Sequence, residues 1–331
     1  MTLELPKELS FEGIVRIMRG LPLQSLQLKT RINNLNITTS PNHTVKPLTS
    51  QLIISSSSDL VQTNFVARNR KMAGLFDKQA EIYVEARPTY PKEWYSKLAA
   101  LTPQHSLAWD AGTGNGQAAL GLSEHYQQVV ATDISEEQLK YAIQHPRIRY
   151  IHTPTSLSED EMVNLIGGGH ENSLDLITVA EAVHWFDLPQ FYSLAKRLLR
   201  KPGGIIAVWA YNRMLVNPEF DPVFDRFREN CIPFTHPNSK YVRAGYKTLP
   251  FPFESVGMGR EGEPLTLEIP KEVSFQGVER MLRSYSAVIR AKDQGVDMLS
   301  EEVIKEFERA WGGRDLVRSF KYEAFMLVGK L

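Results

Sequence analysis

The run Leu107-Ala-Trp-Asp-Ala-Gly-Thr-Gly-Asn-Gly-Gln-Ala-Ala-Leu120 constrains this chain more than any other segment. An apolar, strand-like stretch ends at Asp110, glycines follow at alternate positions 112, 114 and 116, and a helix-like stretch begins at once. Glycine reaches backbone angles that other residues resist, and its missing side chain lets a ligand approach the main chain. In open α/β sheets ligands sit beyond the carboxyl ends of the strands, most often at the first strand-to-helix turn. Asp133 closes the run Val129-Val-Ala-Thr-Asp133, about twenty residues further on, where an ionised carboxylate accepts hydrogen bonds from both ribose hydroxyls. Gly112, Gly114, Gly116 and Asp133 are therefore the expected contacts of a nucleoside-bearing ligand.

Glycine spacing alone leaves two cofactors open. Gly114-Asn-Gly116-Gln-Ala-Ala119 fits the loose G-x-G-x-x-A form of a nicotinamide dinucleotide site. Asp110 weighs against it, because a fixed negative charge at the mouth of the turn repels a pyrophosphate resting on the helix start. The same charge would pair with the ammonium of a methionine moiety.

From about Ala73 onward, strand-like runs alternate with helix-like stretches, the pattern of a parallel sheet covered on both faces. Strands are expected at 106–110, 128–133, 147–152, 174–180 and 204–210, with a final one over 319–331. A helix over 189–200 should stop at Lys201-Pro-Gly-Gly204, where basic residues suit the carbonyl end. The stretch 213–264 breaks the alternation and holds Phe220, Phe224, Phe227, Phe234, Tyr241, Tyr246 and Phe251. Insertions of that length are usually covers or binding loops, so a lid over the carboxyl edge of the sheet is expected; its aromatics suggest an apolar substrate but build a small core as readily.

On these residues the chain resembles the class I S-adenosylmethionine-dependent methyltransferases, within them the type 11 branch that includes trans-aconitate methyltransferase-like small-molecule enzymes. The resemblance spans roughly residues 72–331. Asp110-x-Gly-x-Gly-x-Gly116 matches the first motif, Asp133 the ribose acid, Asp175 to Asp187 the fourth-strand motif, and Lys201-Pro-Gly-Gly204 the turn before the fifth strand. It implies S-adenosyl-L-methionine as cofactor and a Rossmann-like, seven-stranded α/β sheet. It also places Tyr83 and Arg87 near the methionine end, with Arg87 near its carboxylate. After the third strand Thr153-Pro-Thr-Ser-Leu157 replaces the Ala-Glu pair of many relatives, which makes Ser156 the candidate adenine contact.

Displacement from a sulfonium needs no protonation of the leaving group, so positioning and water exclusion are the main tasks. A carboxylate acceptor is already nucleophilic, whereas a hydroxyl or amine gains from a base. His184, at the end of the fourth strand, has a suitable ordinary pKa for that role, although a structural hydrogen bond closing the strand end, or a place in the substrate lining, explains it more readily. Trp185 beside it could wall the methyl pocket by cation–π contact, and Tyr285 and Ser286 resemble the family's acceptor-facing segment. The expected activity is methyl transfer to a small molecule at carboxylate or hydroxyl oxygen. The alternative is a relative that binds S-adenosylmethionine without turnover and acts through a partner.

Basic and acidic residues balance at 38 each, which leaves no field to gather nucleic acid. No apolar run reaches the roughly 20 residues of a membrane span. Scattered histidines and the single Cys231 offer no metal cluster. A charged start, Met1 to Glu8, reads as cytoplasmic. Residues 1–71 are expected to form an extension apart from the catalytic domain. Thr2–Arg19 closely repeats Thr266–Arg283, as a remnant of a tandem copy would, and a linker-like stretch rich in Ser, Thr, Asn and Gln follows. That stretch is poor in acids, so translation from Met18 would suit organelle import instead.

Overall fold

The computed structural model describes residues 88–331. The amino-terminal repeat, the linker-like stretch, the boundary at residue 72, Tyr83 and Arg87 lie outside the described residues.

Eight strands form one sheet: β1 (Leu107–Ala111), β2 (Gln128–Asp133), β3 (Ile148–His152), β4 (Leu176–Ala180), β5 (Ile205–Leu215), β6 (Glu254–Ser255), β7 (Leu265–Ser274) and β8 (Val317–Lys330). Their order is β3-β2-β1-β4-β5-β8-β6, with β7 also paired to β8. The first five run parallel, and β8 is antiparallel to β5, β6 and β7. The strand count exceeds the expected seven because the two-residue β6 joins β8 at Gly329 and Lys330. The order reverses at β1, which puts the topological switch point at the glycine turn.

Before and between the strands lie α1 (Lys92–Ala100), α2 (Gln117–Ser123), α3 (Glu136–Lys140), α4 (Glu159–Gly167) and α5 (Leu188–Leu198). Beyond β5 come α6 (Phe220–Cys231), α7 (Ser239–Arg243), α8 (Phe275–Arg283), α9 (Ser286–Asp293) and α10 (Glu301–Trp311). Local chemistry sets their starts. Asp187 accepts from the Gln190 N–H with Pro189 in the first turn of α5, and Ser158 with Glu161 forms a capping box on α4, each such cap contributing about 1 kcal/mol.

Side chains alternate across the central strands, so each face of the sheet buries its own cluster. On β1, Ala108 joins the cluster under α1, α2 and the carboxyl-terminal helices, while Trp109 and Ala111 join the one under α4 and α5. Asp175, fully buried before β4, receives the Ser106 and Leu107 N–H groups at 2.7 and 3.0 Å and pairs with Arg200 at 2.5 Å. The acid thus clips the entry of β1 to the exit of α5.

The aromatic residues of the stretch 213–264 are turned largely inward. Phe220, Phe224 and Phe227 on α6 are buried, and Phe220 and Phe227 meet Phe307 of α10 at 5.4 Å between ring centroids. Tyr246 and Phe251 enter the opposite cluster, where Tyr246 lies edge-on to Phe325 at 4.9 Å. The sequence shows aromatic content but not which way the rings face, and they face two cores.

Candidate functional site

The glycine turn is held by its own acids. Gly112, Gly114 and Gly116 have φ of 68°, 57° and 86°, in the left-handed region that favours glycine. At Gly112 an added Cβ would lie 2.6 Å from the Ala182 Cβ and 3.1 Å from the Phe186 ring, so the hollow beside this residue has no room for a side chain. Asp133 Oδ2 accepts the Gly114 N–H at 2.8 Å and Oδ1 accepts the Ser135 N–H at 2.8 Å, joining the turn to the end of β2.

A cavity of about 300 Å³ opens above this turn, at the carboxyl edge of the sheet. Gly112, Thr113, Gly114, Asn115 and Asp133 line its floor, and Ile134, Thr153, Thr155 and Leu157 line the β2–β3 end. Tyr90, Glu181, Trp185 and Tyr211 belong to the β4–β5 side. Its charged side chains among the described residues are Asp133, Glu159, Glu181 and Asp187, all acidic. Asn115 is buried at this wall, and its side-chain Nδ2 has no hydrogen-bond partner. Buried polar groups are normally satisfied, so an unmatched donor at a cavity wall suits a bound acceptor atom. A nucleoside with a sulfonium and an ammonium fits the acidic wall, Asp133 at the strand end and the close approach that Gly112 and Gly114 leave on the floor.

Several site residues expected from sequence stand elsewhere. Asp110 is fully buried beneath the turn and does not line the cavity. Its Oδ2 accepts from the Thr113 hydroxyl at 2.5 Å and its Oδ1 from the Thr178 hydroxyl at 2.7 Å. Burial pushes its carboxyl up to about 6, against the pull of those hydroxyls. Asp110 braces the turn from below, because alternation sends Trp109 and Ala111, not Asp110, to the cavity side of β1.

Gly116 also stays off the wall; it starts α2 in a left-handed conformation where an added Cβ would meet the Tyr150 hydroxyl at 2.1 Å. Ser156 is exposed and off the wall, while its neighbours Thr155 and Leu157 line it.

His184 is not placed as a base toward this cavity. It lies in a short 3-10 turn (Val183–Trp185), buried, with Nδ1 3.1 Å from the Tyr246 hydroxyl, and borders a separate groove with Tyr241 and Pro250. Burial, with a smaller contribution from His236, pushes its pKa down to about 3, so the ring is neutral. Tyr285 precedes α9 and packs against the core, and Ser286 is the first residue of that helix; neither lines the cavity. Trp185 does line it, at 4.9 Å from the His184 ring.

Sequence reasoning passed over Glu181, Tyr90 and Tyr211. Glu181 carries φ of 56°, outside the ordinary range for a side chain of its size, and accepts a hydrogen bond from the Tyr211 N–H. Its place after the β4 run was the one available signal. Among the described residues no helix is long and apolar enough to cross a membrane, and no His, Cys, Asp and Glu group is arranged to hold a metal ion.

An open α/β sheet with a glycine turn at its switch point and an acid at the end of the next strand is the arrangement of a nucleoside-cofactor enzyme. A family model described as a methyltransferase domain matches residues 109–208. A putative methyltransferase of Dictyostelium discoideum is 30% identical over 264 residues, covering 77% of this chain and 94% of the relative. The methyltransferase cfoB of Aspergillus candidus is 34% identical over 140 residues, 40% of this chain and 42% of that protein. The solved structure of a putative type II methyltransferase from Anaeromyxobacter dehalogenans is 32% identical, with a TM-score of 0.62 over 74% of this chain and 97% of that one. The chain belongs to the class I S-adenosylmethionine-dependent methyltransferases, and S-adenosyl-L-methionine is its cofactor.

Proposed function

We propose that the chain transfers a methyl group to the oxygen of a small molecule, with residues from about 72 onward as the catalytic domain. The observation that carries this reading is the cavity itself, with Asp133 at one end and an aromatic, acid-bearing wall at the other. The resemblance to trans-aconitate-like enzymes would favour a carboxylate acceptor. Among the described residues the cavity wall carries acids and no cationic side chain, which favours a neutral hydroxyl instead. A carboxylate brought into a wall of carboxylates meets like charge in a low-dielectric site.

When bound, the cofactor supplies an electrophilic methyl on a sulfonium. In the proposed roles Asp133 accepts from the ribose hydroxyls, Thr155 and Leu157 border the adenine, and Asn115 donates to a polar atom of the cofactor. Asp110 acts indirectly, by holding the turn and lending a negative potential beneath it. Tyr83 and Arg87, expected at the methionine end, remain part of this proposal. Phe186 and Trp185 exclude water, which would otherwise compete and weaken every electrostatic contact in the site.

Calorimetry on the full chain tests the reading. S-adenosylmethionine and S-adenosylhomocysteine should both bind with one-to-one stoichiometry, and Asp133→Ala should weaken binding on the order of 100-fold, two lost charge-assisted hydrogen bonds being worth roughly 1.5–3 kcal/mol each before relaxation. Binding unaltered by Asp133→Ala would remove this residue from the site.

A further inference from the structure

We propose that Glu181, with Tyr90 and Tyr211, forms the acceptor subsite and takes the proton of an alcohol or phenol as its oxygen is methylated. This rests on the reading of the cavity given above and names the residue that would make it selective for hydroxyls.

Three observations converge on Glu181. The first is position. Strand order runs β3-β2-β1-β4-β5, so the ribose acid at the end of β2 and Glu181 after β4 flank the glycine turn from opposite sides. With ribose at Asp133 and adenine toward β3, the transferable methyl falls toward Glu181.

The second is strain. A glutamate held at φ of 56° costs free energy, roughly 1–3 kcal/mol for such outliers, and persists only where the surroundings impose it. Here the Glu181 N–H donates to the Trp209 carbonyl at 2.9 Å, and its Oε1 accepts from the Tyr211 N–H, so β5 grips it twice. The ladder between β5 and β8 shifts register between Tyr211 and Arg213, directly after that grip. Bulges of this kind re-aim side chains beside active sites.

The third is the company it keeps. Tyr90 stands edge-on to Trp209 at 5.4 Å and Tyr211 lies 4.9 Å from Tyr322, so both cavity-lining rings are braced from behind. Two braced aromatic faces beside one carboxylate suit a flat or apolar molecule that presents a single hydroxyl.

The step balances without a further reactant. A lone pair of the acceptor oxygen forms the O–C bond as the C–S bond breaks, and the bonding pair returns to sulfur. The hydroxyl proton passes to the Glu181 carboxylate and from there to solvent. Removing a positioned base lowers rates about 10²–10⁴-fold, so Glu181→Gln should show a loss in that range.

The experiment uses the full chain, labelled S-adenosylmethionine, and matched probes: simple phenols and benzyl alcohols beside the corresponding benzoic acids and benzylamines. Methylation of hydroxyl probes is expected. Glu181→Gln should lower kcat/KM for them about 100-fold or more, while the cofactor Kd stays within about threefold. Glu181→Asp should recover part of the rate, and the acidic limb of the wild-type pH profile should vanish in Glu181→Gln. Retained cofactor binding shows that the variant is folded. Glu181→Gln turnover close to wild type overturns the proposal, as does a parallel loss of cofactor affinity, which would place Glu181 on the methionine ammonium. Methylation of only acids or amines, or of no hydroxyl probe, overturns it too. A wild-type chain that fails to bind S-adenosylmethionine would instead sink the cofactor reading and this proposal with it.

Discussion

The β1–β2 end of the cavity and its β4–β5 side are assembled differently. At the first, Gly112 to Asn115 and Thr132 to Ile134 supply the wall from two short stretches, tied by the 2.8 Å bond from the Gly114 N–H to Asp133. At the second, Tyr90, Glu181, Trp185 and Tyr211 come from distant segments and meet only because β1, β4 and β5 lie side by side. In the proposed reading, the cofactor is met by main chain and a fixed acid at the first, and the acceptor by side chains at the second.

Breaking the first end should have the largest effect. Gly112→Val forces a branched side chain onto Ala182 and Phe186 at a φ of 68°, and cofactor affinity should fall more than about 100-fold with a stability loss of roughly 2–4 kcal/mol. Calorimetry and urea unfolding check both; tolerance of valine would mean that the hollow beside Gly112 is wider than it appears.

The motif was legible because its function depends on backbone. Three alternating glycines and an acid after the next strand predict a turn whatever surrounds it, and the turn is there with positive φ at each glycine. The roles of Asp110 and His184 were not legible in the same way. Which face of β1 Asp110 occupies depends on strand alternation, and its partner Thr178 lies 68 positions away on β4. His184 meets Tyr246, 62 positions on, through a segment whose path no local pattern fixes. The helix expected over 189–200 was legible within a residue or two: α5 spans Leu188–Leu198, and the chain is already extended at Leu199, ahead of Lys201-Pro-Gly-Gly204.

The brace beneath the turn gives the next effect. Asp110 has a folded pKa raised from 3.8 to about 6, so between those values the folded chain holds a proton that the unfolded chain has lost. Its stabilising contribution is therefore full below the ordinary value and declines as pH rises through about 6. Unfolding of wild type compared with Asp110→Asn from about pH 4 to about pH 7 should show wild type losing roughly 2–3 kcal/mol relative to the variant. Parallel curves would show that this carboxyl does not titrate there.

The second side should yield smaller effects where its sequence-expected residues are concerned. His184→Ala leaves the Tyr246 hydroxyl without its partner and should cost about 1–3 kcal/mol of stability, while turnover at a temperature where the variant is folded stays within about threefold, less than 0.7 kcal/mol. A loss of turnover on the order of 100-fold would restore His184 to the chemistry. Tyr285→Phe, off the cavity wall, should change kcat/KM less than about twofold.

The most direct measurement is the structure of the complex with S-adenosylhomocysteine. The account predicts ribose hydroxyls within hydrogen-bonding distance of Asp133, adenine beside Ile134 and Leu157, and the sulfur turned toward Glu181 and Tyr211. A ribose at the β4–β5 side, or the nucleoside lodged in the groove beside His184, would contradict it.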